Sequence, residues 1–232
     1  MKKKLLALLI AVSMLVLLFA ACNGGTEEST EPEPEIEEEE VEQDDPIENA
    51  PVRGIWDGDT FTSEYLGLRF EKPEGWVVAT EEDIMELMGL GAEFIGDDIF
   101  GEGVDMARLM EVANITTIHD IMVSDPLTGT NVQIAYERLI FPMNRMTAQE
   151  YMETLGGMLE SMGMEVDFDF PGTTGIGNYD WYTFESIMDV GIEVFGRYFV
   201  NVQDGFARSI SITYSDMSDL SLEDILALFS SL

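Results

Sequence analysis

The sequence predicts an α+β fold, a central antiparallel β-sheet packed by helices, preceded by a signal peptide and a disordered acidic linker. Three observations carry this. Composition changes abruptly at Cys22 and again near Ala50. Beyond Ala50, runs with helical periodicity are interspersed with runs alternating at period two. The strand-like runs are joined by short turns rich in Gly, Asp and Asn, as antiparallel neighbours require.

Residues 1–21 are the expected signal peptide. Lys2, Lys3 and Lys4 precede an apolar run from Leu5 to Phe19, followed by Ala20, Ala21 and the only cysteine of the chain. From Leu5 to Ala21 the run is 17 residues, at the short limit for crossing a bilayer. It ends in Ala-Ala-Cys rather than in charged or aromatic interface residues. Leu18 to Cys22 resembles the bacterial lipobox, with Phe19 departing from its usual aliphatic residue. That resemblance implies a diacylglyceryl group on Cys22. Two acyl chains anchor a protein where one holds only reversibly.

Residues 22–50 are the expected lipidated cysteine and tether. Residues 23–50 hold 13 acids, three prolines and no base. So little apolar surface cannot offset the entropy of ordering the chain, and like charges stretch it. Fully extended it reaches about 100 Å, and as a coil roughly 30 Å. Residues 51–232 form one domain, long enough for a substantial core. Of 46 acids and 11 bases in the chain, 33 and eight fall here, a net charge near −25. Such a surface repels phosphate backbones and excludes nucleic acid as a partner.

Within the domain, Thr60–Thr62 and Leu68–Glu71 read as a strand pair around the turn Ser63–Gly67, with Trp76–Ala79 following Pro73-Glu74-Gly75. Thr80 to Asp83 is a capping-box-like helix start leading through Ile84, Leu87 and Met88. Val104–Ala113 reads as a second helix. Strands Ile118–Ser124 and Asn131–Phe141 flank the turn Asp125-Pro126-Leu127-Thr128-Gly129. Thr147 and Glu150 open the strongest helix, with Ala148, Tyr151, Met152, Leu155, Met158, Leu159 and Met162 on one face. Four strand-like runs follow, Glu165–Phe170, Trp181–Ile187, Gly191–Val202 and Phe206–Tyr214. In the last, Phe206, Arg208, Ile210, Ile212 and Tyr214 alternate with small polar residues, the pattern of a half-buried strand. Ser221 to Asp224 caps a terminal helix carrying Leu222, Ile225, Leu226 and Phe229.

The stretch from Tyr65 through Phe70, Pro73 and Gly75 to Trp76 resembles the opening hairpin of PsbP-like domains, in which an F-x-x-P-x-G-W run follows a short first strand. From Gly54-Ile55-Trp56 to the terminal helix the pattern is similar to uncharacterised lipoproteins of Clostridia-type bacteria, Val123 to Ile134 matching their central hairpin. The resemblance implies a fold and no catalytic residue. The photosynthetic relatives act as accessory subunits, which favours a binding role.

Candidate chemistry is sparse. His119 is the only histidine, so any metal site or catalytic triad using imidazole depends on it, and it reads as a structural or surface residue. Asp57-Gly58-Asp59 begins like a calcium loop, but Phe61 and Thr62 stand where a ligand and the turn glycine belong. Asp97-Asp98, Asp167, Asp169 and Asp180 are further acidic spots, expected without function in so acidic a domain. Gly172 to Gly177 leads into a strand, not into the helix a phosphate cradle requires. Met158, Met162 and Met164 are close enough for soft-metal ligation, yet methionine on an apolar stripe is ordinary core filler.

The expectation is therefore a non-catalytic binding or interaction module on the extracytoplasmic face of the cell membrane. Cys22 carries the lipid, and no catalytic residue, metal ligand or cofactor is nominated. Its partners are the membrane, through that lipid, and an envelope protein, wall component or small ligand. A carboxylate-dependent envelope hydrolase, with acids beside Trp181 and Tyr182, and a divalent-cation binder stand as alternatives.

Overall fold

The computed structural model describes residues 50–86, 116–140, 143–161, 164–169, 176–177, 179–189 and 191–232. Four short strands, β1 (Ile55–Asp57), β2 (Thr60–Ser63), β3 (Leu68–Glu71) and β11 (Phe229–Ser231), form one antiparallel sheet in the order β1-β2-β3-β11. The larger sheet holds β4 (Val77–Val78), β5 (Thr117–Ser124), β6 (Asn131–Arg138), β7 (Glu165–Asp169), β8 (Tyr182–Asp189), β9 (Glu193–Gln203) and β10 (Phe206–Ser215). Its order is β4-β5-β6-β10-β9-β8-β7, and every neighbouring pair is antiparallel.

Helix α1 (Ala148–Ser161) lies across β7, β8 and β9 on one face of the large sheet. The opposite face carries the small sheet and the short helix α2 (Leu222–Leu226). Register assigns side chains to these two cores. On β6, Val132, Ile134 and Tyr136 meet Phe61, Leu68 and Phe70 of the small sheet, joined by Ile210, Ile212 and Phe199. On the other face Phe184, Tyr198 and Val200 pack under Tyr151, Met152, Leu155 and Leu159 of α1. Each fully buried side chain of this size contributes about 1.5–3 kcal/mol.

The expected helix starts close as reciprocal capping boxes. The Glu150 amide donates to Thr147 Oγ1 at 3.2 Å and the Thr147 amide to Glu150 Oε2 at 2.8 Å. Thr80 with Asp83, opening the helical residues 81–86, and Ser221 with Asp224 repeat the arrangement. The helix expected over Val104–Ala113 lies outside the described residues.

Three expectations are corrected. Among the described residues the large sheet is not packed by helices alone: α1 covers one face, and the second sheet together with the short helix α2 covers part of the other. Strand β10, fourth of seven in the sheet, is buried on both faces, not half-buried: Ser209, Ser211 and Thr213 are buried along with Ile210 and Ile212. The terminal helix does not reach Phe229. It ends at Leu226, and Phe229 pairs with Phe70 in β11, the rings 5.0 Å apart. That exchange satisfies the edge of β3, where the Glu71 amide donates to the Leu228 carbonyl at 3.0 Å.

Candidate functional site

The residues nominated from sequence are dispersed. Cys22, Asp97-Asp98, Met162 and Gly172 to Gly175 lie outside the described residues. Asp57 ends β1, and Gly58 and Asp59 form the two-residue turn to β2, with Gly58 at φ 61° and Asp59 Oδ1 3.0 Å from Lys72 Nζ. The turn is therefore a hairpin connection. Met164 is buried beneath α1 with Met152 in an apolar cluster. Trp181 is in the core, its indole N–H donating to the Ile176 carbonyl at 2.7 Å, while Tyr182 faces the opposite core. Asp180 is exposed, and its carbonyl accepts from Asn201 Nδ2 at 3.0 Å. Among the described residues no three His, Cys, Asp or Glu side chains group to hold a metal ion. Among them, too, no helix is long and apolar enough to cross a membrane.

His119 lies on β5 beside a bulge that separates it from Ile121 in register. Burial, reinforced by the positive charge of Arg53, pushes its pKa down to about 4. It is neutral at ordinary pH. The bulge places Asp120 where its carboxylate accepts from the Gly54 amide at 2.9 Å and from Tyr136 Oη at 2.6 Å. Burial raises the pKa of Asp120 despite these donors, and burial with the Asp120 charge drives that of Tyr136 upward.

Two further constellations escaped the sequence reading. Glu137, 3% exposed on β6, accepts a hydrogen bond from Tyr151 Oη of α1 at 2.5 Å. Burial pushes its pKa up to about 7, only partly offset by that hydrogen bond. Arg208, 1% exposed on β10, donates to Tyr65 Oη, to Asn201 Oδ1 at 3.1 Å and to the Gln203 carbonyl at 3.2 Å. Its guanidinium carbon lies 5.0 and 4.8 Å from the ring centroids of Tyr65 and Tyr179. These contacts replace a carboxylate partner with hydrogen bonds and two aromatic faces. The arginine fixes the loop after β2 to the β9–β10 hairpin. The only sequence signal for it was a charged residue on the apolar face of β10.

Glu137, Tyr151, Tyr136 and Arg208 are buried and tied to neighbouring side chains, while His119 and Asp120 are half-buried on β5. Among the described residues, one accessible feature lies elsewhere, on the part of the large sheet that the small sheet leaves open. Register places Glu165, Ile187, Phe195 and Tyr214 in one cross-strand row, and Asp167, Glu185, Arg197 and Ile212 in the next. Asp189 and Glu193, paired at the end of the β8–β9 hairpin, point to the same face. Phe195 and Tyr214 stack at 5.3 Å with planes 24° apart. Ile187 is 37% exposed, a large value for an aliphatic residue in mid-sheet. Arg197 Nη1 meets Glu185 Oε1 at 2.5 Å. Burial, and then the Glu185 charge, raises the Tyr214 pKa, so its hydroxyl stays protonated. An apolar strip rimmed by carboxylates offers contact area to a partner.

No family model matches the chain, and no curated protein matches it. The solution structure of cyanobacterial PsbP (CyanoP) from Synechocystis sp. PCC 6803 aligns with 79% of this chain and 98% of its own, at 10% identity and a TM-score of 0.36. That similarity concerns backbone arrangement alone.

Proposed function

We propose that this chain is a non-catalytic binding module held at the extracytoplasmic face of the membrane by a lipid on Cys22, of the PsbP-like lipoprotein type that its Tyr65–Trp76 stretch resembles. The observation that carries the binding reading is the contrast between interior and surface. Glu137, Tyr136 and Tyr151, groups suited to proton transfer, are buried and hydrogen-bonded within the fold, and burial keeps the half-buried His119 neutral. The open sheet face offers apolar and charged contact area instead. The lysine-headed apolar run ending at Cys22, and the acidic stretch after it, support anchor and tether.

Two measurements test the proposal. Cells fed labelled palmitate should incorporate label into the wild-type chain and not into Cys22→Ser; equal labelling of both overturns the anchor. A photo-crosslinking residue at Ile187 on intact cells should trap a discrete partner, whereas turnover of an envelope substrate by the purified chain overturns the non-catalytic reading.

A further inference from the structure

The open face of β7–β10 has a chemistry of its own, and it specifies a partner. On the open part of this face stand five described carboxylates, Glu165, Asp167, Glu185, Asp189 and Glu193, beside Arg197, which is already paired with Glu185; the other base of the face, Arg208, is buried further along β10. Between them runs the apolar strip of Ile187, Phe195 and Tyr214. Strands lie about 4.8 Å apart, so the four-strand patch is roughly 14 Å wide, enough for a peptide segment but narrow for a folded domain.

Burying Ile187 and the Phe195–Tyr214 pair favours association, since the water-exposed parts of these side chains gain by being covered. Any partner that covers them must also sit beside the carboxylates. An acidic or neutral partner would strip water from these charges with nothing in return, and the domain, near −25, would repel an anion at long range. A segment bearing Lys or Arg pairs with the rim, and its cations also meet the faces of two aromatic rings. We propose that this face docks a cationic peptide segment carrying at least one apolar anchor, presented by another protein. The inference rests on the binding reading above and names the partner of that surface.

The test uses the full chain in nanodiscs and a labelled Lys-Trp-Lys-Lys-Trp-Lys peptide, followed by fluorescence anisotropy. The peptide should bind, weaken as NaCl rises from 20 to 300 mM, and outcompete its Glu-for-Lys counterpart. Asp167→Asn with Glu193→Gln, two exposed carboxylates on the rim, should raise Kd about fivefold to tenfold. Ile187→Ala should raise it too, without changing the salt dependence. A control with the same loss of charge on another element, Glu153→Gln with Glu82→Gln, should leave Kd within about twofold. An equal loss in the control would show diffuse attraction to an acidic surface and overturn the docking site. So would absence of binding at low salt. If instead an uncharged or anionic ligand binds and is insensitive to these variants, the docking face falls while the binding-module reading stands.

Discussion

Glu137 is the most informative residue to perturb. It is buried on β6 with one oxygen accepting from Tyr151 Oη and the other, Oε1, without a hydrogen-bond partner. Its pKa stands at about 7 in the folded chain against an ordinary 4.5. A carboxyl raised in this way contributes stability that is fully present below 4.5 and is lost as pH rises through about 7. At about 1.4 kcal/mol per pH unit, the interval is worth about 3 kcal/mol. Glu137→Gln keeps an acceptor for Tyr151 and cannot ionise. The difference in unfolding free energy, variant minus wild type, should be constant near pH 4 and grow by about 3 kcal/mol in favour of the variant by pH 8. Urea titrations followed by tryptophan fluorescence at half-unit pH steps would measure it, and all other titrating groups cancel in the difference. His119 should behave in the opposite sense. Its pKa is lowered from 6.5 to about 4, so its contribution is present above 6.5 and lost as pH falls through about 4. A flat difference curve for Glu137→Gln, or one of reversed slope, would falsify the assignment of a protonated, enclosed carboxyl beneath α1.

Other perturbations separate fold from surface. Gly177 has φ 62°, and a Cβ there would lie 2.4 Å from the Leu66 carbonyl oxygen; Gly177→Ala should cost at least about 2 kcal/mol in urea unfolding. Arg208→Lys keeps the charge but cannot reach Tyr65, Asn201 and Gln203 together, so stability should fall by about 2 kcal/mol, with faster amide exchange in residues 64–67. Leu155→Ala, on the buried face of α1 at 1% exposure, should cost about 2–5 kcal/mol, whereas Ile187→Ala on the open face should cost under about 1 kcal/mol. Comparable losses at these two positions would mean that the β7–β10 face is covered.

Much of the secondary structure was legible because it is written in neighbouring residues. The stripe through Tyr151, Met152, Leu155 and Leu159 identified α1 and its buried face together. The side chains of Thr80, Thr147 and Ser221 announced their helix starts through residues three positions on. Asp125 to Gly129 formed the expected turn, with the Gly129 amide donating to the Asp125 carbonyl at 2.9 Å. The site was far less legible. Acids scattered through the sequence at Glu165, Asp167, Glu185, Asp189 and Glu193 become one rim only when β7, β8 and β9 pair in register. Trp181 and Tyr182, adjacent in sequence and candidates for one cleft, face opposite cores. Glu137 gave no signal, because a single acid in an apolar strand looks the same whether it is solvated or enclosed.

The sequence by itself determined the local grammar: elements, caps, turns, a strongly anionic domain, and the expectation of an anchor at Cys22. Each depends on the composition, or on contacts a few residues apart. Tertiary structure decided which faces are buried and which are left open. Phe229 left its helix pattern to pair with Phe70, and β10 became a central strand because β6 and β9 took both its edges. These outcomes rest on backbone hydrogen bonds between distant segments and on the water those segments exclude. The same exclusion sets the protonation of Glu137 and His119, and its absence over Ile187 leaves an apolar residue open to water in mid-sheet.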